Sequence, residues 1–216
     1  MTRLLSPAPP NLPLADNDYT RHYQDQLNNV LRLYFTQLRN VTEQLVGPNG
    51  GQFIDCPNGL FFDTVDQTFA LANTAYPVVF NQTYLNNAVA LVPGSTSRIG
   101  VSIPGVYNFQ FTAQLLSSNS SSKTVYVWIS RNNVDIGFST RAVTLAANNE
   151  YAELSWAFSI DLDAGEYVEL RVSATDTNIE LHADPATAPH PGIPSAVLTA
   201  SFVSPLPVPR PTPPSP

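Results

Sequence analysis

The sequence predicts an all-β protein, an antiparallel sandwich or jelly roll, preceded by an extended proline-rich arm and one α-helix. Three observations carry that expectation. From about residue 65 to residue 204, apolar residues recur at every second position, as in half-buried strands. Turn residues interrupt them at short intervals, with no helical period between, which is the pattern of a sandwich or jelly roll. Charged residues make up only 12% of the 216, about half the usual share of roughly 25%. The polar surface must then be built from Asn, Gln, Ser and Thr, which suits a β-rich chain that packs against neighbours without burying many charges.

The first 17 residues hold Pro7, Pro9, Pro10, Leu12, Pro13 and Leu14. Prolines fix φ and lack an amide donor, so this stretch is expected to be an extended, polyproline-like arm. It reads either as a flexible tail or as a segment that docks on a partner. A helix is expected over 18–47, with Asp16 or Asp18 as its cap and Gly47-Pro48 as its stop. Leu27, Leu31, Tyr34, Leu38, Val41 and Leu45 recur at spacings of four and three, an a/d seam. Leu33 and Phe35 widen the apolar face. Such a face suits a three-helix bundle or packing against the protein's own surface, and both readings stand at this point. Gly47-Pro48-Asn49-Gly50-Gly51 opens a linker expected to run over 48–64.

Within 65–204 the clearest strands are 106–115, 124–129, 154–160 and 167–172, with further ones near 67–72, 75–80, 97–103, 134–145, 178–183 and 196–203. Pro104-Gly105, Ser117 to Ser122, Asn132-Asn133, Asn148-Asn149 and Ala164-Gly165 mark turns. Residues 205–216 form a second proline-rich tail.

Charge and composition exclude several functions. The net charge is −7 and the pI about 4.7, and Lys123, Arg98, Arg131, Arg141 and Arg171 read as individual surface charges, so phosphate has no electrostatic footprint and nucleic-acid binding is not expected. No apolar run reaches the roughly 20 residues of a membrane helix. Met1 to Leu5 leads straight into prolines, so no signal peptide is expected. The sequons at Asn40, Asn81 and Asn119 would matter in a secreted protein and are otherwise expected to be chance matches in an Asn- and Thr-rich chain. A single cysteine, Cys56, excludes an intrachain disulfide and a Cys-based metal cluster.

Catalytic signals are equally sparse. His22, His182 and His190 have no nucleophile elbow to serve, and Pro93-Gly94-Ser95-Thr96-Ser97 reads as a turn before a strand. Asp161 and Asp163 are alternate residues that would share one side of a strand, as an acid pair or a calcium site requires, but they precede Ala164-Gly165 and read rather as a solvated turn, with Asp176 and Asn178 as another. Trp128, Trp156, Tyr107, Phe109, Phe111 and Phe158 alternate along strands and read as core or subunit-seam residues rather than a ligand stripe. No catalytic residue, cofactor or metal ligand is expected.

Three segments carry a resemblance. Gly105-Val106-Tyr107-Asn108-Phe109-Gln110-Phe111 resembles the Gly-x-Tyr-x-Phe strand of C1q/TNF-like jelly rolls. Ala164-Gly165-Glu166-Tyr167-Val168-Glu169-Leu170 looks like a later strand of that family, with Glu166 at the usual Asp position. Ser195 to Phe202 resembles its closing strand. Gly59 to Thr64, Asn73 to Tyr76, Ser97-Arg98-Ile99, Pro194 to Thr199 and the helix portion Tyr23 to Leu38 are similar to C1q-like modules of bacteriophage structural proteins, particularly cyanophage-like ones. The resemblance implies a homotrimer at the virion surface, made in the host cytoplasm. It implies a trimer seam at Tyr107, Phe109 and Phe111, alongside the helix interface at Leu27, Leu31, Tyr34, Leu38, Val41 and Leu45. The expected function is non-enzymatic: a decoration or cement protein bracing the major capsid protein or other virion proteins. The alternative is a head- or tail-fibre tip that recognises a host-surface receptor. A collagen-like stalk and the cysteine pair of many animal members are absent from the sequence, so complement and hormone functions are not carried over.

Overall fold

A computed structural model describes residues 9–14, 20–46 and 56–206. The chain divides into two units, Met1–Asp55 and Cys56–Pro216. In the first, α1 (Arg21–Val46) occupies the expected helical stretch. Thr20 caps it, its Oγ1 accepting the Tyr23 amide at 3.3 Å; Asp16, Asp18 and the Gly47-Pro48 stop lie outside the described residues. Leu27, Leu31, Tyr34 and Val41 are half-buried and Leu38 is exposed, while the Leu45 side chain falls outside the described residues. Arg39 and Glu43 pair across one turn at 2.6 Å on the polar side. In the arm, Pro9, Leu12 and Leu14 are exposed and Pro10 and Pro13 half-buried, whereas Pro7 is not described. No helix among the described residues is long and apolar enough to cross a membrane.

The second unit is built from strands: β1 (Asn58–Asp63), β2 (Gln67–Thr68), β3 (Tyr76–Pro77), β4 (Gln82–Asn87), β5 (Val89–Leu91), β6 (Arg98–Val101), β7 (Gly105–Ser117), β8 (Lys123–Arg131), β9 (Val134–Asp135), β10 (Arg141–Leu145), β11 (Tyr151–Leu162), β12 (Tyr167–Ala174), β13 (Ile179–Leu181) and β14 (Ala196–Ser204). The first sheet runs β2-β13-β7-β14-β1-β4, with β11 on the free side of β7. The second runs β10-β8-β12-β6-β5, with β9 on β8 and β3 on β12. Every strand pairing is antiparallel. The chain is an antiparallel jelly-roll sandwich of two seven-stranded sheets.

Alternation along the long strands builds the core between the sheets. Tyr107, Phe109, Phe111 and Leu115 of β7 meet Val125, Val127 and Ile129 of β8 and Val168, Leu170 and Val172 of β12 in one cluster. Asn132 and Asn133 both take positive φ, 48° and 67°, and so make the tight turn into β9.

Three expectations need correction. The stretch 58–63, taken as linker, is strand β1: it pairs with β4 and β14, and Phe61 is fully buried. The strand expected over 134–145 is split into β9 and β10, with Phe138 at a φ of 61° breaking the extended backbone between them. Lys123 is not a surface charge. It is 1% exposed, and its ammonium donates to Ser117 Oγ at 2.8 Å, to the Asn119 carbonyl at 2.9 Å and to Asn119 Oδ1. The arginines are also engaged. Arg131 and Arg171 lie 2.5 Å and 2.6 Å from Glu166 and Glu169, and Arg98 and Arg141 sit over the rings of Tyr167 and Trp156.

Candidate functional site

The outward side chains of β7, β11 and β14 form a ladder across the first sheet. Thr112 lies opposite Ser155 and Val197, Gln110 opposite Ala157 and Thr199, and Asn108 opposite Ser159 and Ser201. None of these nine positions carries a charge, and all are exposed or half-buried. Charges mark the ends: Glu153 opposite Gln114 on one side, Asp161 opposite Val106 on the other. Asp161 is held 3.7 Å from Arg131.

The residues expected at a trimer seam are the ones that alternate with this face. Tyr107, Phe109 and Phe111 are 0%, 0% and 1% exposed within a single chain, so they have no surface to offer a second subunit. Alternation revealed two faces of β7 but not which one pointed inward; the aromatic face fills the core, and Asn108, Gln110 and Thr112 face out.

An apolar edge adjoins the uncharged face. Among the described residues β11 is hydrogen-bonded to β7 alone, so its far side ends the sheet. There Trp156 and Phe158 stay half-buried, with ring centroids 4.7 Å apart. The Arg141 guanidinium covers Trp156, its Cζ 5.4 Å from the ring centre.

Residues 184–193 fold back on themselves, with Asp184 bridged to Ile193 and Thr187 to His190. Ile193, Pro194 and Val197 line two grooves. One, of 460 Å³, is completed by Thr112, Gln114, Tyr151, Ala152 and Glu153. The other, of 520 Å³, is walled by Leu60, Phe62, Pro185 and Ala186.

His182 sits at the foot of this hairpin. Its Nδ1 lies 3.0 Å from Glu180 Oε1 and 3.2 Å from Asp66 Oδ1, and its Nε2 lies 3.1 Å from Asp184 Oδ1. Burial opposes the imidazolium charge, but hydrogen bonds to Glu180 and Asp184 and the nearby charges of Asp66 and Asp184 outweigh it, raising the His182 pKa above its ordinary value. The other histidines are engaged elsewhere: His22 Nε2 lies 3.0 Å from the Gln26 side-chain amide and His190 Nδ1 lies 3.2 Å from the Pro191 carbonyl.

Asp161 and Asp163, read as a solvated turn, belong to a more ordered corner. Glu166 accepts the Asp163 amide at 2.8 Å and the Asn132 side chain at 2.8 Å, and grips Arg131. Asp176 makes the expected turn, accepting from the Asn178 backbone and side chain.

No family model matches the chain, and no curated protein matches it. The crystal structure of murine APRIL at pH 5.0 is similar, with a TM-score of 0.44 and 10% sequence identity, covering 68% of this chain and 99% of that one. The jelly-roll architecture rests on the chain's own strand orders, β1-β14-β7-β11 in one sheet and β6-β12-β8-β10 in the other.

Proposed function

We propose that the protein is a non-catalytic assembly module that forms a homotrimer, the Trp156–Phe158 edge of one subunit packing on the uncharged face of the next. The observation that carries this reading is the pairing of those two unlike surfaces on adjoining strands. An edge that fits a different face makes a heterologous contact, which closes into a ring when the rotation allows. The uncharged face buries hydroxyls and amides that can find partners, without the cost of desolvating unpaired ions.

The trimer's role is decoration of a bacteriophage capsid, with the proline-rich arm and α1 bracing coat subunits. What supports this role is the sequence resemblance of Gly59 to Thr64 and of Tyr23 to Leu38, together with an N-terminal unit separate from the sandwich. A stiff polyproline arm loses less entropy on docking than a flexible one. A second reading, a fibre tip that recognises a host-surface receptor, draws on the two grooves beside Ile193 and Pro194.

Light scattering on the purified protein tests the assembly, with Ala157→Arg as the probe. Ala157 is exposed, so the arginine leaves the fold intact while placing a charge in the proposed contact. A trimeric wild type and a monomeric variant are expected; a monomeric wild type overturns the reading. Adding shells that lack the protein separates the two roles: saturable stoichiometric uptake supports decoration, and adhesion to host cells without shell binding supports the tip.

A further inference from the structure

We propose that Asp66, Glu180 and His182 form a binding site for a divalent transition-metal ion of the zinc class, set where the β1–β2 turn meets the end of β13. Two segments distant in sequence, the β1–β2 turn with Asp66 and the end of β13 with Glu180 and His182, bring a nitrogen and two carboxylate oxygens together, and these donor atoms all lie within 4.8 Å of one another.

The spacing suits a metal. Ligands about 2.0–2.1 Å from a tetrahedral zinc ion are separated from each other by roughly 3.3 Å. His182 Nδ1 is 3.0 Å from Glu180 Oε1 and 3.2 Å from Asp66 Oδ1, so an ion entering between them needs displacements of only a few tenths of an ångström at these two pairs. The donors are held in place from outside the cluster. The Ala183 amide donates to Asp66 Oδ1 at 2.7 Å, and the His182 amide donates to the Gln114 carbonyl at 2.8 Å. The Tyr151 ring stands against the imidazole edge-on, 5.8 Å between centroids.

A second carboxylate completes the arrangement. Asp184 faces His182 Nε2 at 3.1 Å, the position from which a ligating imidazole donates its remaining N–H and has its orientation fixed. Three protein donors leave a fourth position for water or for a donor from another molecule. One nitrogen with two carboxylates favours zinc, cobalt or manganese over calcium, which takes six to eight oxygens. Binding uses the Nδ1 lone pair, so any proton held there passes to solvent. Because Asp184 also starts the hairpin, the ion would pin the β1–β2 turn to the foot of the segment that lines both grooves. The inference stands apart from the proposed trimer, since all three ligands come from one chain.

Calorimetric titration of the full chain with zinc chloride, repeated with cobalt(II) and its visible absorption, tests the site. One zinc per chain is expected. Asp66→Asn and His182→Gln are each expected to weaken zinc at least about 10-fold, and Asp184→Asn by about 10- to 100-fold, with unchanged far-ultraviolet circular dichroism. Asp66 is 42% exposed and lies in a turn, so its variant carries the test if His182→Gln fails to fold. Absence of saturable zinc uptake by the wild type overturns the proposal. So does unchanged affinity in Asp66→Asn, or displacement of zinc by an equal concentration of calcium.

Discussion

Phe158 stacks on Phe109 with ring centroids 5.2 Å apart and planes 12° from parallel. One ring is fully buried and the other half-exposed, although the two residues lie directly opposite each other on paired strands. The pair therefore marks where the interior of the sandwich opens at the β11 edge. Phe109 belongs to folding, and Phe158 has surface left for a neighbour.

That division predicts different costs for the same truncation. Phe109→Ala leaves a cavity in the core and should cost about 3–5 kcal/mol, a large part of the roughly 5–15 kcal/mol that holds a domain together. Phe158→Ala removes a ring already partly in water and should cost the monomer about 1 kcal/mol. Urea unfolding measures both, at a concentration where wild type and variant share one oligomeric state. Equal costs would mean that the β11 edge is as much core as β7.

Lys123 supplies the next prediction. Its buried ammonium ties Ser117 Oγ and the Asn119 carbonyl together across the β7–β8 turn, and hydrogen bonds to a charged group are worth about 1.5–3 kcal/mol. Lys123→Met keeps most of the stem's volume but removes the charged donor and leaves Ser117 Oγ and the Asn119 carbonyl only their mutual hydrogen bond at 2.8 Å, so it should lower stability by about 2 kcal/mol. Lys123→Ala should lower it further by adding a void. A shift in urea midpoint no greater than that of an exposed lysine substitution would show that the turn does not depend on the ammonium.

The Lys123 case also shows why parts of the fold were legible in sequence and others not. Residues 106–115 and 154–160 announce themselves because one face of each must alternate. Which face is core depends on what packs above it, and here the aromatic side of β7 went to the interior. Strand β1 gives no alternation, since Leu60, Phe61 and Phe62 are all apolar: Phe61 enters the core while Leu60 and Phe62 line a groove. Strand β4 is the opposite case, with Tyr84 and Leu85 left exposed, so no apolar period marks it. Lys123 follows a run of serines that looks solvated, and only the fold curls that run over its ammonium. The His182 cluster has no sequence signature, because Asp66 reaches it from the far end of the domain through the β2–β13 pairing.

Acid should loosen the corner around Glu166. Burial there opposes its charge, yet hydrogen bonds from Arg131, the Asp163 amide and Asn132, with the charge of Arg131, prevail and hold its pKa below the ordinary value of 4.5. A carboxylate whose pKa is lowered by folding contributes stability that is present above the ordinary value and is lost as pH falls through the lowered one. Glu166→Gln should therefore reduce stability at neutral pH and flatten its decline below about pH 4.5. Urea midpoints across that range check the sign: parallel curves for variant and wild type would remove Glu166 from the acid response.

Gly105 is required by close approach rather than by backbone conformation. A Cβ there would stand 2.3 Å from Phe202 Cε2 and 2.9 Å from the Ser204 carbonyl oxygen. The phenyl ring can swing aside at the expense of its edge-on contact with Tyr107, 5.7 Å between centroids. The Ser204 carbonyl belongs to β14 and moves only if that strand shifts against β7. Gly105→Ala should thus cost about 1–3 kcal/mol, the usual range for overpacking. Combining it with Phe202→Leu should recover only part of the loss, because the carbonyl contact survives the smaller side chain. Full recovery in the double variant would assign the whole cost to the ring, and an unchanged urea midpoint for Gly105→Ala would show that β14 yields freely at this end.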